Sequence, residues 1–463
     1  MADIDPDDLV SALSQALRGW LPAQRWFDAS PGRIVDVVPR RLETLRRRWP
    51  LLLWAPTDVV HEGGRRVTYQ LLLGVRPTAD GVEPDAVIGE VPAPEGTAVV
   101  YDALVDPELC IEFAESVMPG VEMRRPSALP GDYSNTSVVF EQRWILKLFR
   151  RLEDGPNPDV EITEALAAAE AEDIVGPVAV WRRGDADLAV IRAYHPRAVN
   201  GWDLAAASLE EMLRRRVQPR ETTTDFGPEA ATLGRALARV HVALAEAFGT
   251  RPADGEALAD AMVAHLRRAA PADDDLDEAE RIDLAAVEAV YRRLDGLDDL
   301  GEVIRVHGDL HLAQALRLRR GWVVIDFEGE PARPLAERRA PSSPLRDVAG
   351  MLRSFHYAAR VALDDAEPLD PEGDAGHDPE LLLLAAAWEE RATDAFLTGY
   401  ASIDGVHSLL PRDRRSRDAL LTVFEMDKAI YELAYETGHR PHMTHIPRSA
   451  VHDLLGTADR RRW

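Results

Sequence analysis

The stretch His307-Gly308-Asp309-Leu310-His311-Leu312-Ala313-Gln314 places an amide side chain five positions after an acidic one. A second acidic motif, Asp326-Phe327-Glu328-Gly329-Glu330-Pro331, follows the apolar run Val323-Val324-Ile325. A strand buried on both faces places the polar residue after it at the rim of the sheet, where a loop presents it. The two segments therefore predict an oxygen-ligand site that binds Mg²⁺ and leaves positions for phosphate oxygens.

The same arrangement matches the parts that phosphoryl transfer needs. In that chemistry an aspartate of a catalytic loop orients the acceptor hydroxyl, while an amide five residues later and a second aspartate bind metal ions. Asp309, Gln314 and Asp326 fit these three roles. His307 and His311 could instead be a zinc pair, but no His-Glu-x-x-His pattern is present, and hydrogen bonds to loop backbone are the favoured interpretation.

The overall composition limits the classes of partner. The 463 residues include 54 Lys+Arg and 80 Asp+Glu, which gives a formal net charge of −26. Nucleic acids and anionic membranes attract positive surface, so we expect neither as a partner. The single cysteine, Cys110, excludes an internal disulfide and a cysteine-based metal cage. Neither a signal-type N-terminus nor an apolar run of membrane-spanning length is present, so we expect a cytoplasmic protein.

Only two of the basic residues are lysines, Lys147 and Lys428, and the others are arginines. Lys147 lies within the apolar run Trp144–Phe149, which we predict to be a strand. A compact ammonium on a flexible stem suits point contact with phosphate oxygens, which favours a phosphate-binding role for Lys147. A carboxylate of the next helical segment could hold this lysine, and Glu161 and Glu164 are the candidates.

A polar loop is predicted over residues 131–136, directly before the strand pair that contains Lys147. The segment Ser134-Asn135-Thr136-Ser137 is rich in hydroxyl and amide groups. Such a loop could cover phosphates with its backbone N–H groups, although it lacks the glycines of a phosphate-cradling loop.

The other lysine, Lys428, lies in the pattern of a long helix. At helical spacing Asp427, Tyr431 and Tyr435 share one face, with Lys428 and Glu432 beside them. Two interpretations stay open. The segment is either a surface helix with an i,i+4 pair between Lys428 and Glu432, or a polar face that hydrogen-bonds a hydroxyl-rich substrate.

The order of predicted elements indicates an α+β fold with two lobes. A small α+β unit ends near a proline-rich break at Val91–Gly96, a sheet-rich segment with one helix follows, and the remainder is mostly helical with a short β insert. We therefore predict three domains: a small α+β unit over 1–92, a sheet-rich lobe over 93–200 and a mainly helical lobe over 201–463.

Several separated motifs resemble the maltokinase family, which belongs with the aminoglycoside phosphotransferase-like kinases. The matching segments are Gln24–Phe27, Ser134–Ser137, Ile145–Arg151, Asn157–Glu161, Gly201–Leu204, His307–Gln314, Asp326–Pro331, Leu345–Phe355 and Asp427–Glu432. The resemblance implies a bilobal, eukaryotic-protein-kinase-like (aminoglycoside phosphotransferase-like) fold with an additional N-terminal cap subdomain. It also implies an ATP- and Mg²⁺-dependent kinase that converts maltose into maltose 1-phosphate for glycogen and α-glucan synthesis. We expect a monomer or weak homodimer.

The resemblance also implies roles for individual residues. Asp309 would be the catalytic base, and Mg²⁺ would be held by Gln314, Asp326 and Glu328. The nucleotide would be bound by Lys147, Glu161, Ser134, Asn135, Thr136, Ser137 and the hinge residues Arg192, Ala193 and Tyr194. The sugar acceptor would be contacted by His311, Asp427, Lys428, Tyr431 and Glu432.

One departure from the family's pattern leaves the acceptor open. After His439-Arg440-Pro441 an aromatic residue is usual in maltokinases, whereas this chain has His442. An amino sugar such as glucosamine, or an aminoglycoside, is therefore the alternative acceptor, and the acidic Glu432 and Glu436 would suit a cationic amine. The alternative of another class is an inactive kinase-like binding protein, against which the complete set of phosphoryl-transfer residues argues.

Overall fold

The structure is a computed structural model that describes residues 6–28, 32–93, 96–129, 135–269, 281–367 and 377–456. The chain divides into two compact units, Met1–Glu161 with Gly176–Pro196, and Ile162–Val175 with Arg197–Trp463. Antiparallel sheets and helices are both abundant, which confirms the predicted α+β class. In the described ranges, none of the helices has the length and apolar character needed to span a membrane.

Most strands precede residue 201, and most helices follow it. The helices are α1 (Pro6–Trp20), α2 (Pro107–Val117), α3 (Pro158–Ala168), α4 (Gly201–Arg215), α5 (Gly227–Phe248), α6 (Gly255–Ala269), α7 (Leu284–Tyr291), α8 (Leu335–Arg339), α9 (Leu345–Ala366), α10 (Pro379–Ala401), α11 (Arg414–His439) and α12 (His445–Gly456). The strands are β1 (Ile34–Pro39), β2 (Glu43–Arg46), β3 (Leu51–His61), β4 (Arg66–Arg76), β5 (Val87–Ala93), β6 (Gly96–Asp102), β7 (Pro126–Ala128), β8 (Asn135–Phe140), β9 (Trp144–Phe149), β10 (Arg151–Leu152), β11 (Pro177–Arg183), β12 (Ala186–Ala193), β13 (Val199–Asn200), β14 (Arg251–Pro252), β15 (Glu302–Val303), β16 (Ala315–Leu318) and β17 (Gly321–Val324).

Two antiparallel sheets form most of the first unit. The first has the order β1-β3-β4-β6-β5, with β2 beside β3 and β10 beside β4, and the second has the order β11-β12-β9-β8-β7. Their facing side chains and those of α2 share one apolar core. At its centre the Trp181 ring packs edge-on against Phe113 and Trp54, at centroid distances of 4.9 and 5.6 Å. Burial of such aromatic rings is the main force that holds the two sheets together.

A single buried amide also joins the two sheets. Gln70 of β4 is fully buried, and its Oε1 accepts a hydrogen bond from the Trp54 indole at 3.1 Å. Its Nε2 donates to the carbonyl oxygens of Phe149 and Leu188 at 2.5 and 2.6 Å. Because a buried amide without partners costs free energy, the two hydrogen bonds to Phe149 and Leu188 fix how β4 packs against the second sheet.

The proline-rich break at Val91–Gly96 connects two strands of one sheet. Strands β5 and β6 pair antiparallel, and their register ends with Ala93 opposite Gly96. The predicted cap boundary at residue 92 therefore falls within a hairpin of the first unit. The boundaries of the three domains stay a prediction.

Helix packing in the second unit requires two glycines. Gly234 of α5 and Gly399 of α10 lie where these helices cross, and a Cβ on Gly399 would come within 2.0 Å of the Ala231 carbonyl oxygen. Only the absence of a side chain lets two backbones approach this closely. The contact anchors the helical core against which α9, with its buried Phe355, is packed.

Some elements differ from the sequence prediction. The helical periodicity of Glu278–Arg293 predicts a helix, of which residues 278–280 lie outside the described ranges. Helix α7 begins at Leu284, because the Asp283 side chain accepts hydrogen bonds from the N–H groups of Ala285 and Ala286 and so caps the helix there. The run Gly321–Phe327 predicts one strand, but β17 ends at Val324 and pairs with the short strand β16, which the pattern does not predict.

The glycine contact between α5 and α10 gives a stability prediction. Gly399→Ala should lower the free energy of unfolding by about 1–3 kcal/mol, because the new methyl group meets rigid backbone. Gly438→Ala on α11 is the matched control, since nothing lies within 4 Å of its added Cβ. This control should be neutral or stabilising by up to about 1 kcal/mol. Urea unfolding of both variants makes the test, and equal stabilities would contradict the close contact.

Candidate active site

The loop with the first acidic motif is held by one buried carboxylate. The N–H groups of His307 and Gly308 donate to Oδ2 and Oδ1 of Asp347, at 2.7 and 2.8 Å. Gly308 has a φ of +82°, a conformation that a side chain disfavours. Asp347 lies in the first turn of α9 and is 1 % exposed. The backbone that positions Asp309 is therefore held by hydrogen bonds to a buried carboxylate.

Asp347 has a buried histidine as its second partner. His241 of α5 contacts Oδ2 of Asp347 through Nε2 at 3.1 Å and the Tyr400 hydroxyl through Nδ1 at 2.8 Å. Burial by itself raises the pKa of Asp347, but the hydrogen bond and charge of His241, with His307 and the Gly308 N–H, hold that pKa below its usual range. Asp347 is therefore an ionised anchor.

His307 connects the two acidic motifs through its ring. Its Nε2 lies 2.9 Å from the Ile325 carbonyl oxygen, and its Nδ1 lies 3.2 Å from the backbone N of Asp309. A carbonyl only accepts and an N–H only donates, so Nε2 donates in the first contact and Nδ1 accepts in the second. This geometry agrees with hydrogen bonding to loop backbone rather than zinc binding. His311 is half-buried, and burial lowers its pKa.

The predicted metal residues lie close together at one end of the β16–β17 ladder, with Gln314 before β16 and Asp326 and Glu328 after β17. The Gln314 amide donates to Oδ2 of Asp326 at 2.9 Å, and Asp326 and Glu328 each offer a carboxylate oxygen within 4.8 Å of the other. Asp326 adopts a φ of +68°, in the left-handed region. A half-turn of the Gln314 amide would present its oxygen on the same side. Two carboxylates and an amide oxygen are donors of the kind that Mg²⁺ prefers, so these residues fit that ion.

Lys428 contacts the predicted catalytic base directly. Its Nζ donates to Oδ1 of Asp309 at 2.7 Å and to Oε1 of Glu330 at 3.0 Å, and its side chain is only 13 % exposed. The Nζ also lies 4.6 Å from the centre of the Tyr431 ring. Burial by itself lowers the pKa of Lys428, but Asp309 and Glu330 raise it well above its usual value. The lysine is therefore charged wherever the protein is folded.

Arginines complete a charged network around Glu330. Arg333 and Arg346 both contact Oε2 of this carboxylate, Arg346 at 3.1 Å. Burial by itself raises the pKa of Glu330, but Lys428, Arg333 and Arg346 hold it well below its usual range. Ion pairing offsets the cost of burying this charge.

The same network continues to Asp427 of α11. Asp427 accepts a hydrogen bond from Arg333 at 2.7 Å and lies 2.8 Å from Nδ1 of His265 on α6. Burial by itself raises the pKa of Asp427, but Arg333 and then His265 lower it to about 2. The Asp427 carboxylate therefore has two structural partners, Arg333 and His265, within the protein itself.

The structure decides between the two interpretations of the Lys428 helix. Lys428 reaches the catalytic loop, whereas Glu432 accepts hydrogen bonds from the buried Arg353 of α9, with the closer at 2.7 Å. Asp427 and Glu436 are buried. The interpretation as a surface helix with a Lys428–Glu432 pair is therefore wrong, because these side chains face other elements of the unit. Contact of Asp427, Lys428, Tyr431 and Glu432 with a ligand stays a prediction, as does that of His311.

Lys147 lies on β9, the central strand of the second sheet. It is paired with Ser137 and Val190 and shares a face with Phe149, whose ring lies 5.8 Å from its Nζ. Phe149 and Val190 pack against Val160 of α3, the residue before Glu161. Lys147 and α3 therefore occupy the same side of the sheet, which is the placement that an orienting role for Glu161 requires. That role stays a prediction.

Strand β8 begins two residues earlier than predicted, at Asn135. Asn135 and Thr136 belong to the strand, opposite Phe149 and Leu148, because the polar residues continue directly into the β-branched run that follows. The Thr136 hydroxyl accepts a hydrogen bond from Arg150 at 2.7 Å. Ser134 lies outside the described residues. The expectation that Asn135 and Thr136 cover phosphates from a loop is therefore wrong, because both residues lie on a strand, as Ser137 does.

The predicted hinge residues are partly used by the sheet. Ala193 pairs with Trp144, and the Tyr194 N–H donates to the Arg143 carbonyl oxygen at 2.7 Å. The Arg192 guanidinium donates to Asp159 at 2.9 Å. Adenine binding by Arg192, Ala193 and Tyr194 stays a prediction. The Tyr194 N–H already donates to the Arg143 carbonyl oxygen.

Sequence reasoning missed the residues that support this site. Glu330 stood within the second acidic motif and could have been found as a third carboxylate. Arg333 and His265 gave no local signal, since they lie 94 and 162 positions from Asp427. Asp347 and His241 are likewise 106 positions apart. Only the fold brings these partners together.

Two protein-family models match the chain. The maltokinase N-terminal cap domain matches residues 20–106, and the phosphotransferase enzyme family matches residues 126–366, more than half of the chain. These matches confirm the resemblance and the predicted kinase-like fold with an N-terminal cap.

Two curated relatives of the chain are named as sugar kinases. The glucosamine kinase of Streptacidiphilus jiangxiensis is 31% identical over 344 residues, which cover 70% of this chain and 72% of that protein. The glucosamine kinase of Mycolicibacterium smegmatis (strain ATCC 700084 / mc(2)155) is 27% identical over 334 residues, which cover 70% of this chain and 78% of that protein.

Solved structures match over nearly the whole chain. A glucosamine kinase in complex with glucosamine, ADP and inorganic phosphate has a TM-score of 0.64 and 24% identity, with 98% of this chain and 100% of that chain covered. A glucosamine kinase in crystal form A has a TM-score of 0.67 and 23% identity, with 99% and 98% covered. At these identities the likeness shows the fold.

The depressed pKa of Asp427 predicts a pH-dependent contribution to stability. Because this pKa is about 2 in the folded chain, the stabilisation is complete above the ordinary carboxyl pKa and is lost as pH falls through about 2. The difference in unfolding free energy between wild type and Asp427→Asn should therefore shrink by about 2 kcal/mol from pH 6 to low pH. Urea unfolding across pH measures it, with the exposed Asp404→Asn as control. Parallel pH curves for wild type and Asp427→Asn would contradict the assignment.

Proposed function

The chain belongs to the phosphotransferase enzyme family, and from this membership we propose that it transfers the terminal phosphoryl group of ATP to the anomeric hydroxyl of maltose. As a member it is a kinase that acts on a hydroxyl acceptor of the sugar or amino-sugar class and uses a nucleotide. The products would be maltose 1-phosphate, a precursor for α-glucan synthesis, and ADP.

The ion pairing around Asp309 is the observation that supports a neutral acceptor. The Lys428 ammonium lies 2.7 Å from Asp309 and would repel an ammonium group on the acceptor. The neighbouring carboxylates Glu330, Asp427 and Glu432 already have cationic partners. A cationic amine would have to displace one of those partners, whereas a neutral, hydroxyl-rich sugar would not.

Under this proposal Asp309 would act through its second carboxylate oxygen. Lys428 holds Oδ1, and within the described part of the chain Oδ2 has no hydrogen-bond partner. The acceptor hydroxyl would donate to Oδ2, which orients its oxygen for attack on the terminal phosphorus and receives the proton as the bond to phosphorus forms. Lys428 keeps the plane of the carboxylate fixed, so less ordering is required in the transition state.

The phosphate groups need positive charge in a chain of net charge −26. Gln314, Asp326 and Glu328 would hold Mg²⁺, which when bound neutralises charge on the phosphate oxygens. Lys147 would contact the phosphates, with Glu161 as the carboxylate that orients it.

Glucosamine is the second candidate acceptor. It is favoured by the curated relatives, of which one reaches 31% identity and carries the name glucosamine kinase. The phosphoryl-transfer residues would be the same, so the acceptor alone separates the two candidates. An inactive binding protein is disfavoured because Lys147, Asp309, Gln314 and Asp326 are all present.

An acceptor screen tests the proposed function. With ATP and Mg²⁺, ADP release should depend on maltose, and Asp309→Asn should lower kcat by a factor of about 10² or more, because general-base catalysis is lost. Asp326→Asn should be as damaging. Turnover of glucosamine without turnover of maltose would favour the second candidate, and full activity of Asp309→Asn would show that Asp309 is not the base.

Lys428 gives a prediction for activity and specificity together. Lys428→Met should lower kcat for maltose by about 10²-fold, since one fixed charge beside the reacting hydroxyl is removed. Lys428→Arg should also lose activity, because a planar guanidinium does not fit between Asp309 and Glu330 as the ammonium does. The ratio of kcat/KM for glucosamine to that for maltose should rise in Lys428→Met.

The matched control for these variants is Arg414→Met, which removes an exposed cation from the start of the same helix. It should retain wild-type kinetics and melting temperature. If Lys428→Met kept the wild-type kcat and specificity ratio, the proposed role of the lysine would be wrong.

A further inference from the structure

A row of paired polar side chains runs along α11 away from the catalytic loop. Lys428, Glu432 and Glu436 are four residues apart and so share one face of the helix. Glu432 accepts from Arg353 at 2.7 Å, and Glu436 accepts from the Tyr357 hydroxyl at 2.9 Å. At a rise of 1.5 Å per residue, Glu436 lies about 12 Å along the helix from Lys428. The row therefore extends well beyond the hydroxyl that Asp309 would bind.

An aromatic pair lies at the far end of this row. The Tyr357 ring packs against Trp202, with centroids 6.2 Å apart and planes inclined by 57°. Both side chains are half-buried, so each keeps part of its surface accessible. The pair is called the Trp202–Tyr357 platform below.

The platform is built onto the catalytic loop itself. Helix α4 begins at Gly201, where a Cβ would come within 2.6 Å of the Leu312 carbonyl oxygen. The Asn200 side chain caps this helix through the Trp202 N–H at 2.7 Å and donates to the Ala313 carbonyl oxygen at 3.1 Å. Trp202 is thereby held in a fixed position relative to the loop that carries the catalytic aspartate.

The charges along the row are balanced. Arg353 is paired with Glu432, and Arg440 with Glu436. Both contacts from Arg353 reach Oε2 of Glu432, and Oε1 has no hydrogen-bond partner within the described ranges. A balanced row with one available acceptor oxygen and an aromatic surface suits a neutral, hydroxyl-rich ligand, because hydroxyls donate to the carboxylate and the C–H faces of a sugar ring pack on the aromatic rings.

We propose that the Trp202–Tyr357 platform binds the second ring of a disaccharide acceptor, distal to the ring whose hydroxyl is phosphorylated. The proposal rests on the proposed function, since it requires Asp309 to orient that hydroxyl. The separation of about 12 Å between Lys428 and Glu436 matches two linked pyranose rings rather than one. The hydroxyls between the two rings would face Glu432.

The test compares size-matched variants that keep or remove an aromatic ring. Trp202→Leu should raise KM for maltose about tenfold and leave kcat and the KM for ATP unchanged, because the lost contact is made equally before and during transfer. Trp202→Phe should stay near wild type. Tyr357→Leu should likewise raise KM for maltose, and Tyr357→Phe should raise it less.

The single-ring acceptors glucose and glucosamine distinguish the platform from the acceptor assignment. Turnover of any single-ring acceptor should be the same in Trp202→Leu and wild type. Calorimetric titration of each variant with maltose alone, together with its melting temperature, separates lost binding from lost folding. A wild-type enzyme that phosphorylates glucosamine and not maltose refutes the proposed function. If the wild type phosphorylates maltose and the folded variants Trp202→Leu and Tyr357→Leu have the same KM for maltose as the wild type, the platform is refuted and the proposed function is not.

Discussion

The buried carboxylate of Asp347 is the constraint on which the geometry of the site depends. It accepts hydrogen bonds from the N–H groups of His307 and Gly308, the two residues before Asp309. Its Oδ2 also contacts the His241 ring. Without it, two backbone donors would be buried without partners and the loop would lose the conformation that aims Asp309. Because the His307 ring also contacts the Ile325 carbonyl oxygen, the same anchor helps to position the following segment Asp326–Glu328, which we propose as the Mg²⁺ site.

The local charge of the site differs from the charge of the chain. The net charge is −26, yet the surroundings of Asp309 contain Lys428, Arg333 and Arg346, which are paired with Glu330 and Asp427. Such a network fixes positions rather than supplying large net stability, because desolvation costs offset most of the attraction. Under the proposed function its consequence is selectivity: a neutral acceptor would leave the network intact, whereas a cation would have to compete with it.

Local patterns predicted the elements that carry the chemistry. The apolar run around Lys147 became β9, and the helical periodicity around Lys428 became α11, because burial of one face leaves a repeat in the sequence. Prediction failed where tertiary contacts outweigh that repeat. Asn135 and Thr136 joined a strand through pairing with β9, and β16 formed through its ladder with β17.

Local sequence order was enough to predict the reaction class, because Asp309, Gln314 and Asp326 have the spacing that phosphoryl transfer uses and two lysines are retained among many arginines. Only the tertiary structure decided the partners. Lys428 bonds Asp309 across 119 positions, Arg353 bonds Glu432 across 79, and Trp202 meets Tyr357 from another helix. The physical reason is that a charge or an aromatic ring does not specify its partner along the chain. Packing of α4, α9 and α11 chooses that partner, and with it the shape of the acceptor site.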